Sequence, residues 1–483
     1  MFYAERRSSN MLQTAARIAI GYLVLLVVFS VLFCNERMLF SDAPHVLFRI
    51  INQQQFQIAE HRYGSFITQL FPLLGAKAGI PLAVLMLIYS ISFTFFPLVV
   101  SVLTYRARRY QLVVLMGLYF SLFVSDTFFW TNNEVHQGVT WLFLAFGCFW
   151  PDSVTNIKGC VALLLFVLVT ALAMWTHPLV MFPALFLWFF FLLNGELQLP
   201  NVLKGVISIL LLGLAYGKFY QGAHHGYDSG KIELVTQLNK ETLTSLLSAP
   251  QVKEFVKGCL KNYWLFAIIT AVGWYGLIKR KQYQMLVYCI GAVTGYLLLV
   301  FITYRDVTGL RFYMESEYMP LTILAATPFV YYIAREVSLR NLALLLAGVF
   351  VVRSGCILSS RILFTQRIVM LERMYTELRA QKVHKVIVKQ DKATDDVLLM
   401  NWGAPVESMF ISALHKDEPQ YTFIISDDEQ LKNFNTSSRD TLLGCFHKVA
   451  AHQLNKRYFS MDTTTVYAMY QIDDKGNLRR RDE

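Results

Sequence analysis

The residues best equipped for chemistry in this chain sit in short polar stretches between long apolar runs. The densest stretch is NERMLFSDAPHVLFRIINQQQFQIAEHRYGSF, residues 35–66, which holds Asp42, Glu60, His61 and Arg62. Asp126, Glu134 and His136 occupy a second stretch, His177 a third, and Arg305, Asp306, Arg311, Glu315 and Glu317 a fourth. A carboxylate beside a polar cavity accepts a proton from a hydroxyl or amine nucleophile. An arginine there holds a phosphate leaving group through paired N–H bonds. Asp42 has a plainer reading as well, as the cap of a helix that begins near Pro44.

Other candidates carry less. His224 and His225 are adjacent and so point apart on a helix or strand, which fits a solvated loop better than a metal pair. The seven cysteines are scattered without CxxC spacing, so neither a metal knuckle nor a disulfide framework is indicated. There is no Walker loop, no GxGxxG before a helix, no GxSxG and no HExxH. ATP-driven transport and serine or zinc hydrolysis therefore find no support.

The elements that must position these residues follow from composition. Of 483 residues, 55% are hydrophobic and 16% charged, with mean hydropathy +0.42. Soluble domains carry about a quarter charged residues, so the chain reads as an integral membrane protein, and soluble, disordered and collagen-like classes are excluded. The net charge of +11 does not indicate nucleic acid, because no basic patch interleaved with aromatics lies in a soluble segment.

Eleven apolar runs are candidate spans, at Arg17–Cys34, 81–103, 111–126, 138–150, 159–175, 178–194, 203–219, 263–278, 284–303, 318–335 and 340–358. The first follows Arg6 and Arg7 and lacks a small-residue cleavage site, which makes it a retained signal anchor. With the amino terminus inside, the cytoplasmic loops hold Arg106, Arg108 and Arg109, then Lys158, Lys204, Lys279–Lys281, and Arg335 with Arg340, as the positive-inside rule asks. The carboxyl terminus is then outside. So are a first loop of residues 35–80 and another of 217–263, the latter with a helical stretch over Lys240–Leu260.

VLFRIINQQQFQIAE reads as an amphipathic helix lying along the interface, followed by a charged turn and a second apolar helix, FITQLFPLL. Beyond residue 360 the composition changes. Short β-like runs appear at HKVIVKQ, DDVLLMNW, YTFIISD and TVYAMYQI, which predicts a small α/β or α+β extracytoplasmic domain over 361–483 behind a transmembrane domain over 1–360. Topology then gathers Asp42, Glu134, His136, His177, Arg305, Arg311 and Glu315 on one side of the membrane, which points to a polar cavity there.

This pattern resembles the GT-C superfamily of membrane glycosyltransferases, with protein O-mannosyltransferases and the lipid A aminoarabinose transferase the nearest shapes. The likeness rests on the early acidic residue in FSDAPHVLFRI, two interface helices in the first external loop, an acidic residue in the second, and RFYMESEYMPL before a late span. It departs from the family in two places. Asp42 is single rather than an Asp-Glu pair, and Arg311 is followed by Phe312 and Tyr313, with proline only at Pro320.

The resemblance implies an inverting transfer of one sugar from a polyprenyl-phosphate donor to a lipid, glycan or protein acceptor on the outer face. Asp42 is then the general base and Arg311, with Arg62 or Arg305 as substitutes, the phosphate ligand. Glu134 and His136 orient acceptor or sugar, and His61, His177 and Glu315 complete the substrate-binding set. A divalent Mg or Mn ion between Asp42 and Glu134 is a further option. The expected location is a bacterial plasma membrane. A polysaccharide polymerase or O-antigen ligase stays open as an alternative, as does a transporter or flippase.

Overall fold

Apolar runs of this length must satisfy their backbone internally, so helices dominate. The computed structural model describes all residues except 1, 151–155, 225–228, 237–243, 247, 306–308, 391–395, 428–436, 445–447, 473–476 and 482–483, and the side chains of 2–9. Asp306, His225 and Cys445 thus lie outside the described residues.

The helices that matter are α1 (Phe2–Leu32), α2 (Cys34–Met38), α3 (Asp42–Gln53), α4 (Phe66–Ala78), α5 (Leu82–Arg106), α6 (Tyr110–Leu122), α7 (Glu134–Cys148), α8 (Ile157–Thr176), α9 (Met181–Leu193), α10 (Asn201–His224), α11 (Ser229–Thr236), α12 (Pro250–Lys261), α13 (Trp264–Lys279), α14 (Tyr283–Thr303), α15 (Arg311–Pro328), α16 (Leu339–Gln381) and α17 (Ala404–Leu414). Each of the eleven apolar runs falls on one of them.

Six helices are long and apolar enough to cross a membrane: residues 10–32 of α1, and α5, α8, α10, α14 and α16. A seventh arises if α12 and α13, bent by 85° at their junction, form one span. Of the remaining runs, 318–335 lies on the 18-residue α15 and the π-helical turn Phe329–Ile333 that continues it, and three others are short helices. With 13, 15 and 13 residues, α6, α7 and α9 fall short of the hydrocarbon thickness of about 30 Å at about 1.5 Å per residue. Their side chains are buried among other helices, so they form the inside of the bundle. The end of α6 is capped from afar, where buried Arg353 donates Nε to Ser121 O at 2.9 Å and Nη2 to Val124 O at 2.9 Å.

In the first loop, α3 buries Leu47, Phe48, Ile50 and Ile51 on one face, but it ends at Gln53, where Gln54 turns left-handed, so the second half of the expected amphipathic helix, residues 54–60, is not helical. The chain returns to α4 through paired amide bonds, Gln57 N–H to Gln69 Oε1 at 2.7 Å and Gln69 Nε2 to Gln57 O at 2.9 Å. Residues 217–263 are more helical than a loop, because α10 runs to His224 and α11 and α12 follow.

Near the carboxyl terminus a four-stranded sheet has the order β2-β1-β3-β4, with β1 (Lys385–Lys389) parallel to β2 (Thr422–Ser426) and β3 (Ala468–Ile472), and β4 (Leu478–Arg480) antiparallel to β3. Strands β1 and β2 read KVIVK and TFIIS, buried on both faces as parallel strands are. Strand formation fails at DDVLLMNW, where residues 396–398 make a helical turn. Residue 360 lies inside α16, which continues unbroken to Gln381.

Candidate functional site

Asp42 opens α3 but does not cap it. The cap position belongs to Ser41, whose side chain makes no capping bond, and φ there is +55°. The Asp42 carboxylate instead accepts a hydrogen bond from Trp130 Nε1 at 2.7 Å. Burial pushes its pKa up to about 6, against the pull of Trp130; Glu134 nearby adds to the rise and Arg62 offsets it. Asp42 is thus poised between acid and base near neutral pH.

Glu134 begins α7 and pairs with Arg62 Nη1 at 2.8 Å, both side chains mostly buried. The pair ties the first loop to the second polar stretch. Asn133 caps α7 by accepting from Val135 N–H at 2.9 Å, so Glu134 is held in the first turn, where the helix dipole favours a carboxylate. Tyr89 donates to Asn132 at 3.0 Å. Close approach at Gly64 completes this wall: Trp141 Nε1 donates to its carbonyl at 3.0 Å, and Thr176 Oγ1 lies 1.9 Å from where a Cβ would stand.

His177 follows α8 and accepts from Leu179 N–H at 3.2 Å. Burial drives its pKa well below the ordinary value, and Arg62, Lys231 and Lys218 add to the fall. Lys231, on α11, donates to Tyr313 Oη at 3.0 Å and Tyr304 Oη at 3.3 Å. With His177 it bounds an 80 Å³ cavity otherwise lined by apolar residues such as Phe182, Phe219 and Leu299. Tyr313 in turn packs against Trp130, ring centroids 5.2 Å apart. The contacts therefore run from Asp42 through Trp130 and Tyr313 to Lys231.

The remaining expected residues divide. Arg311 is held in a two-point pair by Asp126 and reaches Ser360 Oγ at 3.2 Å. Its outer face lines a 250 Å³ cavity with Lys257 and Lys261. Glu315 is wholly buried and accepts from the backbone N–H of Ser125 and Thr127, from Ser125 Oγ and from Tyr263 at 3.0 Å. It is spent inside the protein and organises the 125–127 turn. His136 meets Tyr119 through Nδ1 at 3.1 Å. His61 is exposed on a turn, 3.0 Å from Tyr63 Oη, and Arg305 is half-buried at the end of α14.

A metal between Asp42 and Glu134 does not fit this arrangement, because one carboxylate faces an indole N–H and the other a guanidinium. Among the described residues no group of three or more His, Cys, Asp or Glu side chains is placed to hold a metal ion. No family model, no characterised protein and no solved structure matches the chain.

Trp130, Lys218 and Lys231 were not legible as site residues. Lys218 is buried near the end of an apolar helix, and a charge in that setting is the one signal that marked it.

A larger cavity of about 690 Å³ separates the polar face of α3 from the carboxyl-terminal region, bounded by His45, Arg49 and Asn52 on one side and Trp402, Lys448 and Gln453 on the other. It begins one turn along α3 from Asp42.

Proposed function

We propose that this chain is a membrane glycosyltransferase that moves one sugar from a polyprenyl-phosphate donor to an acceptor hydroxyl or amine, with inversion. The observation that carries the reading is Asp42, a carboxylate with pKa near 6 fixed by an indole N–H beside the Arg62–Glu134 pair. Asp42 takes the acceptor proton as the acceptor atom attacks the anomeric carbon. The bond from that carbon to the phosphate oxygen breaks, and the polyprenyl phosphate leaves with the electron pair.

Two features support a lipid-phosphate donor. A small apolar pocket of about 80 Å³ ends at the cation Lys231; it has room for no more than the phosphate-proximal end of a prenyl chain, whose anion Lys231 would meet. Lys218 and Arg62 lie close enough to depress His177 together with Lys231, so positive charge converges where a leaving phosphate needs it. Arg311 is the weaker phosphate ligand because Asp126 already occupies its fork. The cavity between α3 and the carboxyl-terminal region, with Trp402 and several amide and cationic side chains, suits a glycan acceptor. The reading includes the site and the carboxyl-terminal region on the outer side, and a bacterial plasma membrane.

The test compares a strain lacking the protein with strains carrying wild type or Asp42→Asn at equal abundance, by mass spectrometry of envelope glycans and lipids. Wild type is expected to restore a one-sugar mass difference that Asp42→Asn does not. Full restoration by Asp42→Asn defeats the reading, and a change in chain length replaces it with a polymerase.

A further inference from the structure

Trp130 and other residues of the 124–140 stretch line a small, partly open chamber of about 50 Å³. Among its lining residues are four with buried side-chain polar atoms that find no hydrogen-bond partner among the described residues: Thr127 Oγ1, Thr131 Oγ1, His136 Nε2 and Gln137 Nε2. Orphaned polar atoms are uncommon in folded proteins, because each has given up its water partners for nothing. Four around one chamber mark a place where something polar belongs.

Arg37, 2% exposed, lines the same chamber, as do Thr94 and Thr140, whose hydroxyls are already hydrogen-bonded. Its guanidinium donates Nε to Ser90 Oγ at 3.0 Å, Nη2 to Ser90 O at 3.2 Å and Nη1 to Phe128 O. These are neutral acceptors, and they leave two of its five N–H groups unspent. Among the described residues no carboxylate pairs with it, since neighbouring Glu36 is taken by Arg361 at 2.8 Å. A permanently charged group buried without a counter-charge is expensive.

The chamber therefore joins one uncompensated positive charge to a set of donors. The amide of Gln137 receives the Thr68 hydroxyl on its oxygen at 3.0 Å, which leaves its NH₂ facing away. Tyr119 at Nδ1 of His136 lets Nε2 carry the ring proton. Two hydroxyls complete the set. The volume admits one small ion or a few waters and excludes a phosphate ester or a sugar.

We propose that this chamber binds a single small monovalent anion, chloride in size, held by the Arg37 guanidinium and the donor groups of Thr127, Thr131, His136 and Gln137. The anion neutralises Arg37 and satisfies the four orphaned atoms at once. It also sits beside Trp130, whose N–H fixes Asp42. The site stands independently of the transferase reading.

The test uses the purified full-length protein in lipid nanodiscs, at fixed pH and ionic strength, with sodium gluconate replaced stepwise by sodium chloride or bromide. The thermal unfolding midpoint is expected to rise with chloride and bromide, to saturate, and to stay flat in gluconate, which is too large to enter. Gln137→Leu and Thr131→Val are each expected to shift the halide titration at least tenfold to higher concentration, and Arg37→Gln to abolish it. If Arg37→Gln does not fold, anomalous diffraction from bromide-grown wild-type crystals reads the site directly. Superimposed halide and gluconate curves, a halide effect unchanged in Gln137→Leu and Thr131→Val, or no bromide peak in the chamber would each overturn the proposal in favour of trapped water.

Discussion

The backbone N–H of Ser41 donates to Oε1 of Glu407, 2.7 Å away and 366 residues further along the chain. Ser41 holds φ at +55°, a conformation that a residue with a Cβ adopts at a cost. The contact that holds it there comes from α17, beside the carboxyl-terminal sheet. Glu407 is itself fixed by Arg367 Nη2 at 2.5 Å, and both side chains are fully buried. The carboxyl-terminal region thus sets the backbone on which Asp42 stands.

Glu407→Ala leaves the Arg367 charge buried without its partner, a loss of about 3–5 kcal/mol. The thermal midpoint of the purified protein should fall steeply. Glu407→Gln keeps an acceptor for Ser41 and should fall less, with the proposed sugar transfer reduced but measurable. Equal behaviour of the two variants would mean that the Ser41 bond contributes nothing.

Asp42 gives the pH dependence. Its pKa stands at about 6 in the folded protein against an ordinary 3.8. Between those values the folded state holds a proton that the unfolded state has lost, so stability falls as pH rises through this window and the penalty is complete above it. Asp42→Asn should therefore unfold at a higher temperature than wild type at about pH 8, by up to about 3 kcal/mol, with the gain gone by about pH 4. Transfer should run the other way, rising with pH as the wild-type carboxylate ionises and falling about 10²–10⁴-fold in the variant. A stability difference that ignores pH would show that Asp42 is solvated.

Trp130→Phe tests the indole donor separately from the ring. Phe retains packing against Phe312 and Tyr313, whose centroids lie 5.4 and 5.2 Å from Trp130. Losing the N–H removes a bond that favours the carboxylate, so the acidic limb of the transfer profile should move to higher pH. An unmoved limb with lower activity would assign Trp130 to packing alone.

Periodicity and composition made the helices legible, because every apolar run lies on one. They overstated length, since burial inside a bundle and burial in lipid leave the same mark on a short run such as Tyr110–Leu122. KVIVK and TFIIS announced their strands, whereas DDVLLMNW did not hold, its strand-like run giving way to a helical turn at 396–398. Asp42 and Glu134 could be picked out because carboxylates are scarce beside apolar runs. Arg311 could be found but not its engagement, because Asp126 meets it across 185 residues. Trp130 was invisible for the opposite reason: in a chain with 14% aromatic residues, one indole carries no signal.

Gly64 offers a test of the wall that carries Arg62. A Cβ at this position would stand 1.9 Å from Thr176 Oγ1 and 2.9 Å from Trp141 Nε1. Thr176 cannot swing away freely, because its hydroxyl bonds Leu172 O at 2.7 Å at the end of α8. Gly64→Ala must therefore separate the first loop from α7 and α8, and overpacking of this kind costs about 1–3 kcal/mol. The loop carries Arg62 two residues earlier, so the strain should also loosen the Arg62–Glu134 pair. The expected result is a lower thermal midpoint together with a weaker response of transfer to Glu134→Gln in the Gly64→Ala background than in wild type. If the two substitutions add independently, the close approach at Gly64 has no bearing on where Arg62 is held.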